Sequence, residues 1–175
     1  MPRIVSILLF LTAVMCLGGN AWALEGDWEA GGVPAAFLLP TRDIYGAGAE
    51  LYARYAVLDG LSVSFGAGFY GARQTVIKQS MGLYTLRAGI FYAFDVLQWV
   101  PGVGLNISAL FSENELWKWH RDGHGMGFDF DVYVQYRGIR NVGIGIFFSY
   151  HLVFADMKSN YMTTGFMFSW NSGMF

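Results

Sequence analysis

Cysteine is almost missing from this chain: its one copy, Cys16, lies inside an apolar N-terminal segment. Disulfides and thiol chemistry are therefore excluded for everything downstream of that segment. Charge is sparse as well, at 14% of residues with a formal net of −2, which leaves no basic surface for nucleic acid or for an anionic membrane face. Long apolar runs are also lacking. After the N-terminus nothing approaches the roughly 20 residues that a spanning helix needs, although 54% of the chain is hydrophobic. No glycine-rich phosphate loop or nucleotide fingerprint occurs, and nothing calls for a cofactor. What is present points to strands: 18% aromatic residues and 23 glycines against four prolines favour sheet over helix. At 175 residues the chain has room for one domain, and so apolar a domain must cover its hydrophobic surface in some way other than a helical bundle in lipid.

The first 23 residues read as an export signal. Arg3 supplies positive charge, Ile4 to Leu17 is apolar, Gly18-Gly19-Asn20 breaks the run, and Ala21-Trp22-Ala23 fits the small-x-small rule for cleavage after Ala23. A lipoprotein signal is excluded because Val14-Met15, rather than a small residue, precedes Cys16. A membrane-anchoring helix is disfavoured by the short apolar core without flanking anchors. The mature domain is then 24–175, with a cysteine-free sequence.

That domain repeats one pattern: apolar and small or polar residues alternate with period two, broken by turns. Leu61, Val63, Phe65, Ala67 and Phe69 share one face, and Ser62, Ser64, Gly66, Gly68 and Tyr70 the other. Before them Asp59-Gly60 is a two-residue hairpin signal, preceded by Leu51, Ala53, Tyr55 and Val57 opposite Glu50, Tyr52 and Arg54. The same reading gives strands running from Tyr84 to Phe94, Val103 to Phe111, Phe128 to Tyr136, Val142 to Leu152 and Met162 to Asn171. A first strand from about Asp27 to Leu38, irregular around Pro34, completes eight.

Eight segments of roughly ten residues match the length at which tilted strands cross hydrocarbon. Their polar face is rich in glycine and serine rather than in the lysine, glutamate and threonine of soluble surface strands. Their apolar face carries aromatics near strand ends: Tyr84, Tyr92, Phe94, Tyr136, Tyr150 and Trp170. Aromatic girdles at two lipid interfaces have that pattern, and closure into a barrel removes the unpaired edges that lipid penalises. Connections alternate in length. Asp59-Gly60, Asp95 to Pro101 and Arg137 to Asn141 are short; Gly71 to Met81, Ser112 to Gly125 and Ala155 to Asn160 are longer. Short turns face the periplasm in outer-membrane barrels, with both chain ends on that side. The expectation is an all-β, eight-stranded antiparallel up-and-down transmembrane barrel.

The signal segment, the glycine-aromatic strands, the terminal Phe175 and the string Asp95-Val96-Leu97-Gln98-Trp99-Val100-Pro101-Gly102-Val103-Gly104 together resemble small Gram-negative outer-membrane barrels of the OmpA-domain, OmpX and OmpW type. The resemblance implies residence in the outer membrane among lipid and lipopolysaccharide, and delivery by periplasmic chaperones to the barrel insertion machinery. In that group the final aromatic shares the register of the last strand's apolar residues. Here Phe166, Phe168 and Trp170 are in register with Met174, so Phe175 is offset by one; a bulge near Ser172-Gly173 would absorb the difference.

Glu50, Arg54, Arg87, Asp129, Asp131 and His151 all fall on the polar, inward face. Eight strands enclose an interior that side chains just fill, so mixed charges there form either an ion-pair plug or the lining of a narrow pore. Ser149 and His151, two apart on one strand, raise a second function class, a lipid-modifying hydrolase. Outer-membrane lipid A deacylases are small barrels, but with His-x-Ser where this chain has Ser-x-His. In the loop Ser112 to Gly125, His120 and His124 lie four apart among carboxylates and are candidate metal ligands, although loop spacing alone imposes no coordination geometry. A third reading, a secreted lipocalin-like carrier, requires the opposite orientation of the faces, with the apolar one inside. The preferred reading is a non-enzymatic outer-membrane barrel with an envelope role or narrow-pore passage of small molecules.

Overall fold

The computed structural model describes residues 26–74, 80–94, 98–112, 124–139, 141–154 and 160–172, without the side chains of Arg42, Met81, His124 and Ile139. The expected signal segment, Phe175, His120 and most of the loop Ser112 to Gly125 lie outside the described residues. Alternation in the sequence becomes eight strands: β1 (Trp28–Leu39), β2 (Ile44–Leu58), β3 (Leu61–Gln74), β4 (Ser80–Ala93), β5 (Trp99–Ser112), β6 (His124–Ile139), β7 (Val142–Val153) and β8 (Tyr161–Asn171). A short 3-10 turn, Pro40–Arg42, joins the first two. Each strand pairs antiparallel with the next, and β8 returns to β1, closing the barrel.

Several connections are shorter than the alternation suggested. Strands run from 11 residues in β8 to 16 in β6, because pairing continues into segments whose composition resembles loops. Gly71 to Gln74 belongs to β3, Trp99 to Pro101 to β5, and Arg137 to Ile139 to β6. The β6–β7 turn tightens through a register shift between Tyr136 and Ile139, the local effect of a bulge. Asp59-Gly60 forms the expected hairpin turn between β2 and β3, with Gly60 at φ 77°, where a glycine meets no steric cost. Pro34 points outward, and the ladder between β1 and β8 is interrupted at Val33 and Pro34 before resuming in the same register. Missing one donor, proline is tolerated where a rung can be dropped.

The faces sort as the alternation requires. Leu51 (70% exposed), Phe65, Ile146 and Phe166 project outward from mid-strand; a soluble protein does not display such a belt, and a lipocalin-like carrier would hold it inside. At the end bearing the short turns, Trp28, Trp99 and Trp170 are exposed, with Trp28 against Tyr55 and Trp99 against Tyr136 at ring centroids of 4.9 and 5.1 Å. At the loop end, Phe69 meets Tyr84 and Phe128 meets Phe154. Tyr55 and Tyr45 mark the two girdles on β2; with about 3.3 Å per residue and the strand tilt of about 40° usual in barrels, their separation across the wall is about 25 Å, the height of a hydrocarbon core. Leu105→Arg, placed mid-belt on β5 where Leu105 is exposed, is expected to lower the unfolding free energy in lipid by about 2–4 kcal/mol, read from urea titration of the vesicle-inserted barrel.

Residues at the start of β1 and just past the end of β8 close the seam. Trp28 N donates to Ser172 Oγ at 2.8 Å and Ser172 N to Trp28 O at 2.8 Å. Close wall packing at this seam depends on Gly165: a Cβ there would collide with the Pro34 carbonyl oxygen and sit 2.8 Å from Ala35 Cα.

Candidate functional site

The inward positions of the eight strands build a polar network through the middle of the barrel. Glu50, Arg54, Asp129, Asp131 and His151 are each at most 4% exposed, and the Arg87 side chain is 7% exposed. A buried charge of this kind persists only when paired and hydrogen-bonded, and the barrel supplies the partners from both neighbouring and non-neighbouring strands.

Arg87 on β4 is the central bar. Its guanidinium donates to Glu50 on β2 and reaches Asp131 Oδ1 at 3.4 Å and Asp129 Oδ2 at 3.9 Å on β6. Two intervening strands must make room for this span. On β3, Gly66 and Gly68 lie in register with Arg87 and Glu50, and a Cβ at Gly68 would lie 2.9 Å from Glu50 Cγ and 2.6 Å from Thr85 Oγ1. Glu50 also accepts from the Tyr70 hydroxyl. Asp131 Oδ2 accepts from Asn106 Nδ2 at 2.8 Å, and Asn106 Oδ1 accepts from Ser64 Oγ at 2.9 Å.

Asp129 and His151 are cross-strand partners on β6 and β7. His151 Nδ1 is 2.8 Å from Asp129 Oδ1, which also accepts from Ser108 Oγ at 2.8 Å. His151 Nε2 is 3.1 Å from Thr163 Oγ1 on β8, and the Tyr161 ring stacks on the imidazole at 4.0 Å. The pair Ser149 and His151 therefore does not form a couple: both imidazole nitrogens are engaged elsewhere. Asp129, His151 and Thr163 have the hydrogen-bond order of a nucleophilic triad, yet each is at most 1% exposed and Tyr161 covers the ring.

Toward the turn end a second cluster centres on Glu29, which the alternation did not single out. Glu29 Oε1 accepts from Tyr52 OH at 3.1 Å and from Gln135 Nε2 at 3.2 Å; Oε2 accepts from Arg137 Nη2 at 3.0 Å. Arg54 Nη1 stands 3.7 Å from the same carboxylate. Its guanidinium is packed among the rings of Phe91, Tyr52 and Tyr133, at 3.9, 4.5 and 4.6 Å from their centroids, a desolvated cation–π arrangement. Gly104 and Gly102 vacate the space those rings fill: a Cβ at Gly104 would lie 2.5 Å from the Phe91 ring, and one at Gly102 would overlap Tyr133. Arg137, read from sequence as a turn residue, is instead a strand residue on the inner face.

Toward the loop end the interior turns apolar. Leu39, Ile44, Leu83, Leu110, Val153 and Tyr161 are buried together there, above His151. Following the inward face to the ends of the strands and just beyond would have found them, since Leu83 precedes Thr85 and Leu110 follows Ser108 on that face.

Among the described residues no group of three or more His, Cys, Asp and Glu side chains is placed to hold a metal ion. Of the candidate ligands, His120 and the His124 side chain are outside the described residues.

No family model matches the sequence, and no curated protein matches it significantly. Solved structures do match. Neisserial surface protein A superposes with a TM-score of 0.63 at 16% identity, over 85% of this chain and 96% of that one. The N-terminal barrel domain of Pseudomonas aeruginosa OprF gives 0.56 at 15%, over 84% and 98%. The outer membrane protein OprG of the same organism gives 0.55 at 9%, over 90% and 99%. What these share with the chain is the fold: a closed, eight-stranded antiparallel barrel of the outer-membrane type.

Proposed function

We propose that this integral outer-membrane β-barrel is a plugged, non-enzymatic barrel whose interior serves stability and whose work is done at its rim and outer surface. The observation that carries the reading is the span of Arg87 from Glu50 to Asp131 beneath the apolar layer around Leu39, Leu83, Leu110 and Tyr161. A conducting pore needs a continuous wet path with sites an ion can enter and leave. Here each charged group faces one of opposite sign, and among the described residues the buried layer above them is apolar apart from the Tyr70 and Tyr161 hydroxyls. The burial of Ser149, His151 and Thr163 supports the non-enzymatic part, because no substrate carbonyl could approach within reach of a hydroxyl.

The same reading includes removal of residues 1–23 on export, contact of the exposed belt with lipid and lipopolysaccharide, and delivery through periplasmic chaperones to the insertion machinery. The charged interior is thus assigned to the plug, and narrow-pore passage is the competing outcome. Single-channel recording of the refolded barrel in a planar bilayer separates them. With folding verified by heat-modifiable gel mobility, the expected result is no discrete openings at 100 mV or so in about 1 M salt, where screening shortens to about 3 Å. Regular openings that change on Asp131→Ala would overturn the plug.

A further inference from the structure

Between the Arg54 and Arg87 clusters lies a small chamber that the plug does not fill. Val33, Arg54, Ser64, Arg87, Phe91 and Asn106 contribute to its wall, and it has room for about one water-sized body. Its chemistry is unbalanced toward donors. Arg54 Nε and Nη1 make no hydrogen bond, although the residue is 4% exposed and its carboxylate neighbour, Glu29, stays 3.7 Å away. Arg87 adds a second guanidinium to the wall. The Asn106 oxygen is already taken by Ser64 Oγ, and one of its two N–H donors goes to Asp131.

The carboxylates around the chamber are paired, and Asp129 Oδ2, which takes no hydrogen bond, lies outside its wall. Glu29 is held by Arg137, Glu50 by Arg87, Asp131 by Arg87 and Asn106, and Asp129 by His151 and Ser108. A water in the chamber would need acceptors for both of its hydrogens, and the Ser64 hydroxyl, whose own proton goes to Asn106 Oδ1, offers one. A monatomic anion needs none: it accepts from every side, and the apolar rings around Arg54 strengthen its attraction to the guanidinium. We propose that the chamber binds one halide ion, held by Arg54 Nε and Nη1 with Arg87 and Asn106 beside it. Sulfate and phosphate are too large for a space of this size. Occupancy is independent of whether the barrel conducts, so this site and the plug fail or stand separately.

The test compares thermal unfolding of the purified barrel in sodium bromide, sodium chloride and sodium sulfate at matched ionic strength. The midpoint is expected to rise by about 3–5 °C per tenfold increase in either halide above its dissociation constant, with no such rise in sulfate. Crystals grown in bromide should show an anomalous peak beside Arg54. Ser64 faces Arg54 across the β2–β3 ladder, so Ser64→Asp puts a tethered anion at the chamber. That variant should lose the halide dependence while unfolding in sulfate no lower than wild type does, and it remains informative if Arg54→Gln fails to fold. A chamber without a bromide peak, a midpoint indifferent to halide, or full halide dependence retained by Ser64→Asp would each overturn the site.

Discussion

Arg87→Leu is expected to lower the unfolding free energy of the refolded barrel by about 3–5 kcal/mol, the cost of stripping one partner from a buried ion pair. Three carboxylates depend on this guanidinium: Glu50, Asp131 and, more loosely, Asp129. The leucine restores some packing against Phe147, over whose ring the Arg87 guanidinium lies at 5.5 Å, but it leaves Glu50 with only the Tyr70 hydroxyl among the contacts described above. Arg87→Lys keeps a charge and loses the fork that reaches two strands at once, so it should recover only part of the loss. Urea titration followed by gel mobility reads both. Should Arg87→Leu unfold at the wild-type urea concentration, the central bar would be energetically idle and the plug would have to reside in the apolar layer. Replacing Arg87, Glu50 and Asp131 together by apolar residues of similar volume should cost far less than the single change, because of the three carboxylates only Asp129 remains, and it keeps His151.

Gly165→Val is expected to prevent closure, with a cost of about 4 kcal/mol or more and loss of the heat-modifiable folded band. The added atoms would collide with the Pro34 carbonyl and with Ala35 Cα, which are backbone and cannot rotate aside as a side-chain tip could. The collision falls at the β1–β8 seam, already short of rungs at Val33 and Pro34, so the wall has little pairing in reserve there. Gly71→Ala is the matched control. Its Cβ would lie no nearer than 3.9 Å to Ala47 O, on the outer face, and the barrel should fold as wild type.

Much of this architecture is written in local pattern. Period two assigned Phe65 outward and Ser64 inward before any pairing was known, and Asp59-Gly60 set one hairpin outright. Strand ends were harder, because residues such as Arg137 and Trp99 carry turn-like neighbours while the ladder simply continues through them. Glu29 was missed for a related reason: Gly31, Gly32 and Pro34 blur the alternation of β1, so its phase could not be trusted. Who meets whom inside the barrel is a different kind of information. Glu29 meets Gln135 across 106 residues of sequence, and that encounter depends on closure and on strand stagger, which no single strand encodes. The glycines show the same divide. Their inward register was readable at Gly66, Gly68 and Gly104, whereas what each admits (Arg87 reaching Glu50, or rings closing on Arg54) emerges only when the wall curves.

The paired hydrogen bonds between Trp28 and Ser172 make the wall a ring in which no hairpin is privileged. Bridged by a short linker across that seam and cut instead within a loop, the same eight strands would circulate in the same order, with another strand arriving last. Chain order and barrel geometry are therefore separable: the geometry records which strands are neighbours, while the position of the cut decides only which strand comes first and which last.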